Sequence, residues 1–159
     1  MKRVGLFIGV DQYSNGITPL RCSCRDAQDL SLYFSREFDT VDFLLDQKAH
    51  CEDILDKVES MTRNLNPGDL FVFYFAGHGR EVNGEHYLVG PTGRAAAELY
   101  QRGSVRISEL MAVSNRNGVN RLFILDCCRD NLLAGRSTAF VCDESRSIAL
   151  DNAVRAQSG

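Results

Sequence analysis

Leu70-Phe71-Val72-Phe73-Tyr74-Phe75-Ala76-Gly77-His78-Gly79 is the stretch that decides how this chain folds. Seven apolar residues run straight into a histidine set between two glycines. A run this short, rich in aromatic and β-branched residues and unbroken by polar ones, reads as a strand buried on both faces. Residues 4–10 and 122–125 read the same way, and residues 41–45 form a weaker fourth candidate. Between them the apolar spacing is helical. Ala27, Leu30, Phe34 and Phe38 share one face, as do Ile54, Val58, Met61 and Leu65 ahead of an Asn66-Pro67-Gly68 stop. A third helix is expected from Ser108 as N-cap, carrying Leu110, Met111 and Val113. Strands alternating with helices imply an α/β fold, a three-layer α/β/α sandwich around a mainly parallel sheet.

The 159 residues fit one domain with a core of its own. Apolar residues make up 44% and charged residues 25%, ordinary values for a globular protein that exclude collagen, coiled coil or disorder as a description of the whole. A formal charge of −3 argues against a non-specific nucleic-acid binder. No run reaches the length of a membrane span, and the apolar stretch after Met1-Lys2-Arg3 ends at Asp11 without a signal-peptide cleavage pattern. A cytoplasmic home with six reduced cysteines is expected. Residues 77–103 hold six glycines, with a hairpin expected at Asn83-Gly84. Beyond residue 135 only 148–154 looks helical, and no further central strand is expected.

Ligands of open α/β sheets bind beyond the carboxyl ends of the strands. Two of the three strong strands end in reactive residues: one runs into Gly77-His78-Gly79, the other into Asp126-Cys127-Cys128-Arg129. If these strands are parallel neighbours, about 4.8 Å apart, an imidazole meets a thiol at one sheet edge. That pairing suits nucleophilic catalysis, with the histidine holding the thiolate and protonating a leaving amine. The flanking glycines would permit tight turning and close approach of a substrate backbone, and the Gly79 N–H could serve an oxyanion.

Phe75-Ala76-Gly77-His78-Gly79 and Leu125-Asp126-Cys127-Cys128-Arg129, with His78 and Cys128 standing 50 residues apart, resemble the two catalytic boxes of the caspase-like cysteine peptidases, family C14. Leu6-Phe7-Ile8-Gly9-Val10-Asp11-Gln12-Tyr13 resembles the first strand of that clan, and Leu20-Arg21-Cys22-Ser23-Cys24-Arg25-Asp26-Ala27 the entry to its first helix. An Asp two residues before the Cys resembles metacaspases and paracaspases, and Arg129 resembles the latter. The resemblance, spanning residues 3–130, implies a caspase-hemoglobinase fold. It implies a Cys128 nucleophile, a catalytic His78, an oxyanion hole from the N–H groups of Gly79 and Cys128, and a bystander Cys127. Asp26 and Asp126 match the carboxylates of the primary specificity pocket, which implies cleavage after Arg or Lys. No cofactor or metal is required, and Arg129 implies calcium independence.

The same resemblance implies that residues 1–135 are the large (p20-like) catalytic portion. Residues 136–159 would form a linker or activation segment leading to a small p10-like portion. The start at Met1 suggests a prokaryotic member. Self-processing after Arg136, Arg146 or Arg155 is one way of separating the portions. The partners implied are a protein substrate with a basic residue before the cleaved bond, the small portion and a second copy of the chain, with no nucleic acid and no membrane. The competing reading is a catalytically silent scaffold on the same fold. A zinc site drawn from Cys22, Cys24, His78, Cys127 and Cys128 has poor spacing. Cys22, Cys24, Cys51 and Cys142 read as inert thiols. His50 at a helix start and His86 in the hairpin read as structural or solvent-facing. Arg129 could meet an acidic residue in the groove or pair with Asp130.

Overall fold

The computed structural model describes residues 1–96, 99–128 and 138–143, the last six and Cys128 by their backbone. The chain runs β1 (Arg3–Gly9), α1 (Ser23–Phe34), β2 (Thr40–Leu45), a 3₁₀ turn (Asp46–Lys48) and α2 (Cys51–Thr62). It continues through β3 (Leu70–Val82), β4 (Glu85–Val89), β5 (Ser104–Arg106), α3 (Ile107–Val113), β6 (Asn120–Cys128) and β7 (Thr138–Asp143).

Strands β2, β1, β3 and β6 lie side by side and all run parallel. Strand β7 adds antiparallel to β6, while the second half of β3 leaves this sheet and pairs antiparallel with β4, which pairs with β5. The chain goes from β1 outward to β2, then back across β1 to β3. Right-handed crossovers in opposite directions must lie on opposite faces, so α1 covers one side and α2 with α3 the other. The point of reversal falls between the carboxyl ends of β1 and β3, where such sheets bind ligands.

The alternation along β3 shows both faces buried. Phe71, Phe73 and Phe75 join Leu6, Ile8 and Phe123 in the cluster under α2 and α3. Tyr74 and Ala76 join Phe7 and Ala27 in the cluster under α1. Each of those three phenylalanines is fully buried, and truncation of one to alanine would cost about 3–5 kcal/mol. Among the described residues no helix is long and apolar enough to cross a membrane.

The structure departs from the sequence reading in instructive places. Phe38 and Leu65 lie beyond the ends of α1 and α2, although Phe38 still packs against Phe34 with ring centroids 5.0 Å apart. Helix α3 starts at Ile107 with Arg106 as N-cap, and the Ser108 hydroxyl instead donates to Glu85 at 3.1 Å. The Asn83-Gly84 hairpin forms, with both residues at positive φ as a primed two-residue turn needs. His50 caps α2 and His86 lies in β4. Strand β5 gives no signal in the sequence, because three residues leave no periodicity to see. Strand β7 follows Cys128, where the sequence leads to no further central strand, and among the described residues it pairs with β6 alone. Its apolar stretch is only four residues long and polar at both ends, and the signal suits an antiparallel outer strand rather than a central one. The helical reading of 148–154 lies outside the described residues.

Gly9 closes the α1 layer onto the sheet. A Cβ there would lie 2.5 Å from the Ser23 carbonyl oxygen and 2.6 Å from the Cys24 Cα, both backbone atoms with no side-chain freedom to yield. Gly9→Ala should therefore destabilise the fold by about 1–3 kcal/mol, read as a lower urea midpoint. An unchanged midpoint would mean that α1 slides without cost.

Candidate active site

Strand β1 ends at Gly9, opposite Ala76, but β3 continues. The last link on that side is the Val10 N–H donated to the Ala76 carbonyl at 3.0 Å. His78, two residues on, would have no acceptor for its own N–H on this edge. The phenol of Tyr13 supplies it, accepting at 2.8 Å. The Tyr13 ring also lies against the imidazole, centroids 4.8 Å apart. A Cβ on residue 77 would come within 2.7 Å of the same phenol oxygen, so the position before the histidine must be glycine. The reason differs from the tight turn read from sequence. Gly77, His78 and Gly79 lie in extended β3, and neither glycine takes a positive φ.

The loop that delivers Tyr13 is itself anchored. Asp46, at φ 45°, accepts the N–H groups of Asp11 and Gln12 at 2.8 and 2.9 Å. The Asp11 carboxylate then caps α1 from a distance in sequence, accepting from Ser23 at 2.8 Å and Cys24 at 3.2 Å. Burial pushes the Tyr13 phenol above its usual value, so it stays a neutral hydroxyl.

His78 is buried, and its Nε2 lies 2.8 Å from the carbonyl oxygen of Thr18. A carbonyl only accepts, so Nε2 carries the proton and Nδ1 is the atom left to exchange one. On the other edge of β3 the parallel ladder with β6 runs on to its last pair, His78 opposite Cys128. The structure therefore brings together the backbones of the two residues that the sequence singled out. Cys127, one residue earlier, is buried in the cluster under α2 and α3 with Phe123 and Leu125.

Asp126 stands opposite Ala76, and the Tyr74 hydroxyl points to its Oδ2 at 3.5 Å. Asp26, in the first turn of α1, faces the same ground. Its carboxyl is held above the usual range by partial desolvation and then by the charge of Asp126. Tyr74 responds to both: burial, then Asp126 and Asp26, raises its phenol. Two carboxylates from different elements, Asp26 of α1 and Asp126 of β6, are thus near enough for the charge of one to act on the other and of both to act on Tyr74. Gly79 stands opposite Leu88 of β4. Arg129, Arg136, Arg146 and Arg155 lie outside the described residues. Cys24 and Cys51 are poor nucleophiles where they sit. Burial, with Asp46 and Asp11 close by, pushes Cys24 up to about 12, and burial pushes Cys51 up to about 11. None of Cys22, Cys24, Cys51 and Cys127 is disulfide-bonded. Sequence reasoning missed two positioning groups, the Tyr13 phenol and the Thr18 carbonyl. The only signal for Tyr13 is its place just past the end of β1, and a backbone carbonyl leaves none.

The family model of the Peptidase_C14 caspase domain matches residues 2–158. The chain belongs to this family. The fold is also similar to the crystal structure of protein GSU0716 from Geobacter sulfurreducens, with a TM-score of 0.67 and 21% identity over 80% of this chain and 51% of that one. At that identity the likeness speaks to fold alone, and the chain spans about half the length of that relative. A comparison with curated proteins gives no match.

Tyr13→Phe removes the one acceptor of the His78 N–H while keeping the ring. It should cost about 1–3 kcal/mol and speed amide exchange at residue 78. Unchanged exchange there would show that another group takes the N–H.

Proposed function

We propose that this caspase-family chain is a cysteine endopeptidase that cleaves protein substrates after arginine or lysine. The observation that carries the reading is the end of the β3–β6 ladder, where His78 and Cys128 are paired across parallel strands. The Cys128 thiolate attacks the scissile carbonyl to form a thioester, and the amine departs with a proton from His78. Water, deprotonated by His78, then releases the acid product. The Thr18 carbonyl fixes which nitrogen does this, since it keeps Nε2 protonated through the cycle. The N–H groups of Gly79 and Cys128 are the assigned oxyanion donors.

Specificity follows from Asp26 and Asp126. The charge of Asp126 adds to burial in raising the cost of charging Asp26, and an arginine side chain entering between them relieves it. A planar guanidinium can meet both carboxylates, so arginine is preferred to lysine. We assign residues 1–135 to the catalytic portion and residues 136–159 to a segment leading to a small portion. Self-processing in that segment, a second copy of the chain, a cytoplasmic location and calcium independence belong to the same reading.

Fluorogenic peptides with Arg, Lys, Asp or Ala before the cleaved bond test it, with the small portion supplied. Arginine peptides should be cut fastest. Cys128→Ala should lower kcat/KM by about a thousandfold or more, while Cys127→Ala keeps most of it. Cleavage after Asp would discard the acidic pocket. No cleavage of any peptide would leave the catalytically silent module.

The carboxylate pair makes a separate prediction. Asp26 holds its proton more firmly in the folded chain than when unfolded, so above its raised pKa the empty pair costs stability. Asp126→Asn should return Asp26 toward an ordinary carboxylate value in a carboxyl-carbon NMR titration, and lower kcat/KM on arginine peptides about tenfold. An unmoved Asp26 would mean that the two carboxylates do not share a site.

A further inference from the structure

Strand β3 carries a second charged residue past the histidine. Arg80 follows His78 by two positions, so both occupy the same face of the strand. The register places Arg80 opposite Tyr87 of β4 and Tyr87 opposite Arg106 of β5. These three residues form one row across the β3–β4–β5 meander. Arg106 is accounted for: it lies over the Tyr87 ring at 5.9 Å, with Glu85 at 4.0 Å from its Nε. Arg80 is not. Its Nη2 is shut off from solvent and has no hydrogen-bond partner, and none of the ion pairs among the described residues includes it.

Among the described residues, the acids of this hairpin are taken by others. Glu81 turns to His86 and Glu85 to Arg106 and Ser108. Burial alone pulls the guanidinium below its usual value, with no carboxylate acting against it. The Ser104 hydroxyl, on the same face of β5 as Arg106, is also buried without a partner. The side chain of Arg80 is half-buried, so one edge of the guanidinium is sealed without a partner while the rest can still be reached, two residues past the candidate catalytic histidine.

The direction of the substrate follows from the proposed mechanism. The side chain before the cleaved bond goes to Asp126 and Asp26, on the β6 and α1 side of His78. The amine that leaves takes its proton from His78, so the chain after the bond departs over β3 toward β4. Arg80 lies in that direction.

We propose, resting on the peptidase reading above, that Arg80 receives the carboxylate of an acidic residue following the cleaved bond. The site thus takes peptides that are basic before the bond and acidic just after it. The charge pattern of the face matches such a peptide, with carboxylates on the β6 flank, the imidazole in the middle and the guanidinium on the β4 flank.

The test uses binding, so that it does not depend on turnover. Dye-labelled peptides with Arg before the bond and Glu, Gln or Lys directly after it are titrated into the full chain carrying Cys128→Ala, with the small portion supplied and fluorescence anisotropy as readout. The Glu peptide should bind about tenfold more tightly than the Lys peptide. Adding Arg80→Met should erase that difference while leaving thermal stability unchanged or higher, because the substitution removes an unpaired buried charge. Equal binding of the three peptides, no measurable binding of any, or a preference for Glu that survives Arg80→Met would each overturn the proposal. So would a marked loss of stability in Arg80→Met, which would assign the guanidinium to a carboxylate of the chain itself. Cleavage of the Glu peptide by the unsubstituted chain, followed in parallel, reports on the peptidase reading separately. A Glu preference without cleavage would keep the subsite and remove the enzyme.

Discussion

Two parallel ladders flank β3, and they end at different heights. On the β1 side the last register pair is Gly9 with Ala76, and on the β6 side it is His78 with Cys128. The site lives in that offset of two residues. Had β1 run as far as β6, a strand would fill the space where the Asp11–Tyr13 loop now turns in, and the histidine would be sealed on both edges. Because β1 stops early, a phenol can finish the hydrogen bonding of β3 and a carbonyl from the same loop can take the imidazole N–H. The backbone of His78 is thus held as firmly as in a sheet, and its ring is fixed by the same loop.

That arrangement explains why so many polar groups of one short loop are used up. Asp46 holds Asp11 and Gln12, Asp11 holds the start of α1, and Tyr13 and Thr18 hold the histidine. The left-handed backbone of Asp46, uncommon for a residue with a Cβ, is tolerated because its carboxylate gains two charge-assisted hydrogen bonds. The loop's positions are therefore coupled through α1 and the turn after β2.

The parts of the fold set by burial were legible in the sequence. The runs that became β1, β3 and β6 are apolar on both faces because helices cover both faces, and Asn83-Gly84 announced its turn through backbone preference alone. The cores of α1 and α2 showed in their spacing, but their ends did not. Phe38 continues the apolar pattern from outside the helix, since packing against Phe34 needs only proximity. The short strand β5 carries too few residues for a pattern, and β7 too few apolar ones. At the candidate site, His78 and Cys128 stand out in the sequence as reactive side chains at the ends of apolar runs, whereas Asp126 and Asp26 are marked only by the family resemblance. Tyr13 acts through an oxygen on a backbone N–H, Thr18 acts through its own backbone, and Arg80 stands out only once its lack of a counter-charge is visible. None of these three relations exists in the chain before it folds.

Gly9 acquires a further meaning beside the paired carboxylates. It lets the first turn of α1 rest on the end of β1 with almost no gap. Asp26 belongs to that turn, while Asp126 belongs to the sheet. The thickness of the layer between helix and sheet at this one point is therefore what spaces the two negative charges. A methyl group on residue 9 would lift one carboxylate away from the other and weaken their mutual field. A residue with no side chain thus acts as the gauge for how far apart the two carboxylates stand.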